Sequence, residues 1–182
     1  KQAIDELYAL GIMNGYEDGT IKPENNITRA EVTKLVVATM GPSYTEAAVG
    51  ASGVDTQFTD VTGAHWAAGY IATGVANSFI NGMGDGTFAP EENVTYAQIV
   101  KMITAAMGYT SICERNGGYP NGYLTTAASI GVTKGVNIVG ADTVVTRGQV
   151  AMLLDNALNI PIVGITGYEE DATTGKLIAK SA

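Results

Sequence analysis

The chain has 182 residues, 46% of them hydrophobic, with a net charge of −8 and 23 glycines. That is enough apolar content for a packed core in one domain or two small ones, no apolar run approaches a membrane span, and the acidic balance argues against a nucleic-acid partner while leaving other anionic polymers open through a local arginine cluster. The single cysteine, Cys113, excludes an internal disulfide and any multi-cysteine metal site.

The first predicted element is an amphipathic helix over Lys1–Leu10, with Ile4, Leu7, Tyr8 and Leu10 at helical spacing and Gly11 as its stop. A tight loop follows around Gly15, Asp18 and Gly19, where glycine supplies positive φ and aspartate binds its own backbone, and Pro23 helps to end it. The next helix, Thr28–Met40, opens with Thr28 and, three positions later, Glu31. Such a pair is a capping box: the hydroxyl accepts one free backbone N–H and the acid reaches back to another. Ile27 before the cap and Val32 after it form a hydrophobic staple. Residues 41–57 read as a Gly/Ala/Ser/Thr linker with a short helical piece near Thr45–Val49.

A second helix–loop–helix unit runs from Phe58 to Gly108, with a first helix starting near His65–Trp66 and a second capped by Thr95 and Gln98 and stapled by Val94 and Ile99. Thr110–Tyr119 reads as a linker. A third unit from Tyr119 to about Leu158 ends in a helix capped by Thr146 and Gln149 and stapled by Val145 and Val150. Ile160–Ala182 differs in kind: a strand-like Ile162–Thr166, an acidic run and a turn signal at Thr174–Gly175 suit a linker or the start of a following region.

These units are copies of one another. ITRAEVTKLVVATM (27–40) recurs as VTYAQIVKMITAAM (94–107) and VTRGQVAMLLDNAL (145–158). GIMNGYEDGT (11–20) recurs as SFINGMGDGT (78–87), whereas the third copy, GVTKGVNIVGADT (131–143), keeps Gly135 but loses the Asp-Gly-Thr. HWAAGYIATG (65–74) aligns with GYPNGYLTTA (118–127), and Lys1–Leu10 aligns with Ala68–Asn77. The divisions are therefore 1–57, 58–118, 119–159 and the tail 160–182. The chain begins inside the first unit and has no signal peptide, so an upstream segment is expected. A unit this small cannot bury its apolar face alone, which makes stacked repeats the expected architecture.

FTDV…HWA (58–67), NGYEDGT (14–20) and ITRAE (27–31) together resemble the three signatures of the S-layer homology module, over roughly Lys1 to Ile160. The resemblance implies an all-α fold, with six main helices in a pseudo-threefold bundle. It implies a non-catalytic anchor at the bacterial cell surface. Such anchors bind a secondary cell-wall polysaccharide linked to peptidoglycan, often bearing pyruvate ketals, in grooves between repeats. The rival reading is a structural subunit of an S-layer or surface filament, assembling through protein–protein contacts with other subunits.

Arg29 and Arg147 hold the arginine of the TRAE signature, at a helix start where free N–H groups and the dipole favour anions. A guanidinium there offers a fork to a carboxylate; the plain alternative is a solvated or ion-paired arginine beside Glu31. In the second unit Tyr96 replaces it. Glu31, Gln98 and Gln149 are assigned to the caps. Asp18 with Gly19, and Asp85 with Gly86, shape the loops and are secondary ligand candidates. Tyr16 could stack on a sugar ring, and its counterpart Met83 less well. Trp66, the only tryptophan, reads equally as core or as a sugar platform, with Tyr119 in the same position of the third unit. Asp60 could cap a turn or pair with a neighbouring arginine. The expected dominant groove joins Arg29, Tyr16 and Asp18 to Asp60 and Trp66, with the surroundings of Arg147 as the fallback. No cofactor is expected. His65 has no partner at metal-ligand spacing, and GYEDGT lacks the alternating ligands of a calcium loop. No nucleophile motif or phosphate loop supports an enzyme.

Overall fold

A computed structural model describes residues 2–163, 165–170 and 177–181. The fold is all-α. Eight helices occur among these residues: α1 Gln2–Ala9, α2 Arg29–Thr39, α3 Pro42–Gly50, α4 Ala68–Ala76, α5 Tyr96–Ala106, α6 Thr110–Arg115, α7 Asn121–Ile130 and α8 Arg147–Leu158. A separate antiparallel hairpin pairs β1 Ile165–Glu170 with β2 Leu177–Ser181, so the tail's strand begins later than its apolar pattern suggested. The turn expected at Thr174–Gly175 lies outside the described residues.

The three capped helices start as their sequences dictate. Thr28, Thr95 and Thr146 each accept the backbone N–H three residues on. Gln98 and Gln149 reach back to the cap N–H groups at 3.0 and 2.9 Å, completing both boxes. Glu31 does not reach back, so the first box is only half formed. All six staple residues are 0% exposed, so each helix enters the core at its first turn.

Packing does not follow the repeats as written. The capped helices α2, α5 and α8 pack pairwise around a common axis, while α4 lies on α2, α7 on α5 and α1 on α8. Each first helix therefore covers the capped helix of the preceding repeat, and the third repeat closes onto the first. The loops follow the same rule. The N–H groups of Arg29 and Ala30 donate to the carbonyls of Glu92 and Pro90, those of Tyr96 and Ala97 to Thr143 and Ala141, and those of Arg147 and Gly148 to Asn25 and Pro23. The free amides of each helix start are thus consumed by the next repeat's loop. They are not available to an anion, as the sequence had suggested they would be.

Two short helices lie in the linkers. The first, α3, extends the piece expected near Thr45–Val49 to nine residues, begun by Pro42 at its first turn. The second, α6, replaces what reads as an irregular linker. It packs on α7 so closely that a Cβ on Gly122 would sit 2.2 Å from the Cys113 carbonyl oxygen, and Cys113 is fully buried there. The first helix of repeat two starts at Ala68 rather than His65, because His65 Nδ1 accepts the Ala67 N–H as a local cap.

Candidate binding grooves

The arginines at the starts of α2 and α8 reach forward into the next repeat's loop. Arg29 Nε donates to the Phe88 carbonyl at 2.8 Å and Nη2 to that of Asn81 at 3.2 Å. Arg147 Nε donates to Ile21 at 3.2 Å and Nη2 to Asn14 at 2.9 Å. Both are buried, at 3% and 8% exposure. The guanidinium of Arg29 lies 4.6 Å from the Phe88 ring centroid and that of Arg147 lies 4.9 Å from the ring of Tyr16. Burial lowers the pKa of Arg29, opposed by the charge of Glu92 and the nearby Tyr119 and Asp60. Of the plain reading, neither arginine is the solvated side chain, while Arg147 does lie beside Glu31, with Nη1 3.9 Å from Oε2; neither offers its whole fork to a ligand. Two donors of each are spent on carbonyls, which makes these residues struts between repeats as well as groove walls. Tyr96, in the same position of repeat two, lies against Thr133 of the third repeat, and burial raises its pKa.

At these two arginines the described residues form two grooves, each built from three repeats. The first, of about 180 Å³, is lined by Asn14, Tyr16, Glu31, Lys34, Trp66 and Arg147. The second, of about 290 Å³, is lined by the counterparts Asn81, Met83, Gln98, Lys101, Tyr119 and Arg29. Trp66 is 52% exposed and stacks on His65 with centroids 5.8 Å apart; it is not a core residue. His65 Nε2 in turn lies 2.6 Å from Glu91 Oε1. Because Nδ1 accepts from Ala67, Nε2 carries the proton and donates.

This geometry corrects the expected grouping. Trp66 and Tyr16 share a groove with Arg147, whereas Arg29 belongs to the groove of Tyr119. Asp60 neither caps a turn nor pairs with an arginine. Its Oδ1 accepts the Phe88 N–H at 2.9 Å and its Oδ2 the Ala89 N–H at 2.8 Å, holding Ala89 at φ 56°. Burial raises the Asp60 pKa, but these two N–H groups outweigh it and the net shift is downward. Asp60 thus sets the Phe88 carbonyl that receives Arg29. Asp18 and Asp85 accept both the N–H and the hydroxyl of Thr20 and Thr87, the hydroxyls at 2.6 Å. Those hydroxyl bonds are the main reason their pKa values are lowered. Neither aspartate lines a groove. Gly19 and Gly86 complete these turns at φ 77° and 89°, where only glycine sits without strain.

A family model described as the S-layer homology domain matches residues 2–33 and 57–100. These two segments are S-layer homology repeats. It is 33% identical over 161 residues to a cell surface protein of Thermoanaerobacter kivui, covering 88% of this chain and 20% of the relative. It is 31% identical over 163 residues to the middle cell wall protein of Brevibacillus brevis, covering 90% and 15%. A cellulosome-anchoring protein of Acetivibrio thermocellus is 35% identical over 108 residues, covering 58% and 23%. The chain spans a fifth or less of the length of the first two relatives. Its place is the bacterial cell surface.

Within the S-layer homology frame, sequence reasoning passed over the lysines. Lys34 and Lys101 stand three residues after Glu31 and Gln98 and line the two grooves. Lys101 Nζ lies 5.2 and 5.5 Å from the ring centroids of Tyr119 and Tyr123, and Lys34 Nζ lies 6.0 Å from that of Tyr70. Their recurrence at one spacing within TRAEVTK and TYAQIVK was a usable signal. The third repeat has Met152 at this position and Tyr96 opposite in place of an arginine. It therefore lacks both cations at the equivalent sites.

Proposed function

We propose that the chain is a non-catalytic anchor that holds a longer surface protein to the cell wall by binding a pyruvylated secondary wall polysaccharide in its inter-repeat grooves. The observation that carries this reading is the coincidence, in one cleft, of an exposed indole, a cation over an aromatic ring and a lysine. An exposed Trp66 offers a flat apolar face to a pyranose, and Arg147 and Lys34 offer donors to its oxygens. The second groove repeats the plan with Tyr119, Arg29 and Lys101. The family membership and the relatives' names, a cellulosome-anchoring protein among them, support an anchor.

Purified sacculi test this directly. The chain should sediment with sacculi that keep their polymer and stay in solution after acid extraction of the polymer. Trp66→Ala should weaken sedimentation while leaving the fold intact. A relative named surface layer protein, from Brevibacillus choshinensis, favours the second reading of subunit contacts. Retention on extracted sacculi, or self-association at equal strength without sacculi, would support that reading instead.

A further inference from the structure

We infer that the two grooves are sorted by charge: the acid-bearing sugar goes to the Tyr119 groove, and Glu31 keeps it out of the Trp66 groove. The inference rests on the glycan-binding reading above and deepens it.

The two clefts have the same plan and differ in a few side chains. Each has one buried arginine and one lysine on its wall. The difference lies at the third residue of the capped helix. Gln98 is neutral and committed to the cap, its Oε1 accepting the Thr95 N–H at 3.0 Å. Glu31 makes no such bond. Its carboxylate turns into the groove, where Oε2 comes within 3.9 Å of Arg147 Nη1. The lining charges are thus two positive in the Tyr119 groove, from Arg29 and Lys101. In the Trp66 groove the same two cations, Arg147 and Lys34, face one carboxylate.

The remaining donors sharpen the contrast. Among the described residues Arg29 Nη1 has no hydrogen-bond partner, yet no buried side-chain nitrogen or oxygen is left unpaired. Nη1 therefore reaches solvent and remains a donor for a ligand oxygen. The matching nitrogen of Arg147 already faces Glu31. The acids whose charges reach Arg29 and Tyr119 do not line the groove: Asp60 is bound to Phe88 and Ala89, and Glu92 and Asp142 are exposed and outside its lining. An entering carboxylate therefore meets attraction from two cations in one groove and, in the other, the same attraction reduced by repulsion from Glu31. At partly solvated separations one such charge shifts affinity by about five- to tenfold.

The test uses two probes, a methyl glycoside of pyruvate-ketal N-acetylmannosamine and the same sugar without the ketal. Calorimetry counts sites, and Trp66, the only tryptophan, reports its own groove by fluorescence. In the parent chain the ketal sugar should bind one strong site without changing Trp66 emission. Glu31→Gln should add a second site for the ketal sugar, now seen by Trp66, with an affinity gain of about five- to tenfold in that groove. Gln98→Glu should weaken the first site by a similar factor. Both substitutions use residues already found at this position of a sister repeat, so the helix start tolerates them. The uncharged sugar is the control, and its binding should change less than twofold in either variant. Strong ketal binding in the parent that moves Trp66 emission, or an unchanged response in Glu31→Gln, overturns the sorting while the glycan-binding reading stands. No binding of either sugar to any variant overturns both.

Discussion

Among the described residues, the loop of the second repeat is braced from two sides, and the loop of the first from one. Around Phe88 and Ala89, Asp60 holds the two N–H groups while Arg29 holds the Phe88 carbonyl. At the matching Ile21 and Lys22, Arg147 holds the Ile21 carbonyl, but no aspartate meets the N–H groups among the described residues. Both loops nevertheless keep the same bend, with φ of 45° at Lys22 and 56° at Ala89. The comparison separates the two devices. The arginine, handed on from the preceding repeat, is what the loops share among the described residues; the aspartate gives the second loop a further hold.

The largest way to break the comparison is to remove the shared part. Arg29→Ala leaves two carbonyls without their charged donor and empties a buried site, so it should cost about 3 kcal/mol in denaturant unfolding. Arg29→Lys should recover only part of this, because an ammonium cannot span both carbonyls. A loss as small as that of an ordinary surface substitution would mean that Arg29 serves ligand alone.

Removing the added brace comes next. Asp60→Asn should cost about 1 kcal/mol, since an amide oxygen can replace only one of two charge-assisted acceptors. The parent should also carry an acid sensitivity that the variant lacks. The folded Asp60 pKa lies below its ordinary 3.8, so its stabilisation is present above that value and fades as pH falls through the folded pKa. Urea midpoints between pH 5 and 2 should converge for parent and variant at the acid end; parallel curves would exclude the brace.

The first loop offers the converse test. Lys22→Gly relieves an L-residue at positive φ, and with no aspartate on its N–H among the described residues the relief should appear as about 0.5–1 kcal/mol of added stability. Ala89→Gly should give less, because Asp60 already holds that bend. Equal gains at both sites would show that the brace does nothing for the backbone.

The caps close the series, with Glu31 as the smallest effect of all. Thr28→Ala should cost about 1 kcal/mol, as an N-cap loss does. Gln98→Ala should cost about 0.5 kcal/mol through its bond to Thr95, and Glu31→Ala should change the melting temperature hardly at all. A Glu31 loss matching that of Gln98 would put its carboxylate back on the cap.

The sequence by itself determined what depends on neighbours a few residues apart. The threonine caps, the buried staples Ile27–Val32, Val94–Ile99 and Val145–Val150, and the Asp-Gly-Thr turns are all set by contacts within one turn of chain, and one sequence pattern displays them. Six of the eight helices follow from that pattern, as does the family. The short α6 does not, since six residues without a cap form a helix only because α7 lies against them. The grouping of the site could not be read either. Arg29 meets Asn81 across 52 residues and Arg147 meets Asn14 across 133. Repeats alike in sequence leave open whether each completes its own groove or its neighbour's. Only the closed ring decided that, because covering each capped helix with the following repeat's first helix buries the apolar faces of all three at once. That closure sends Trp66 to Arg147 rather than to Arg29.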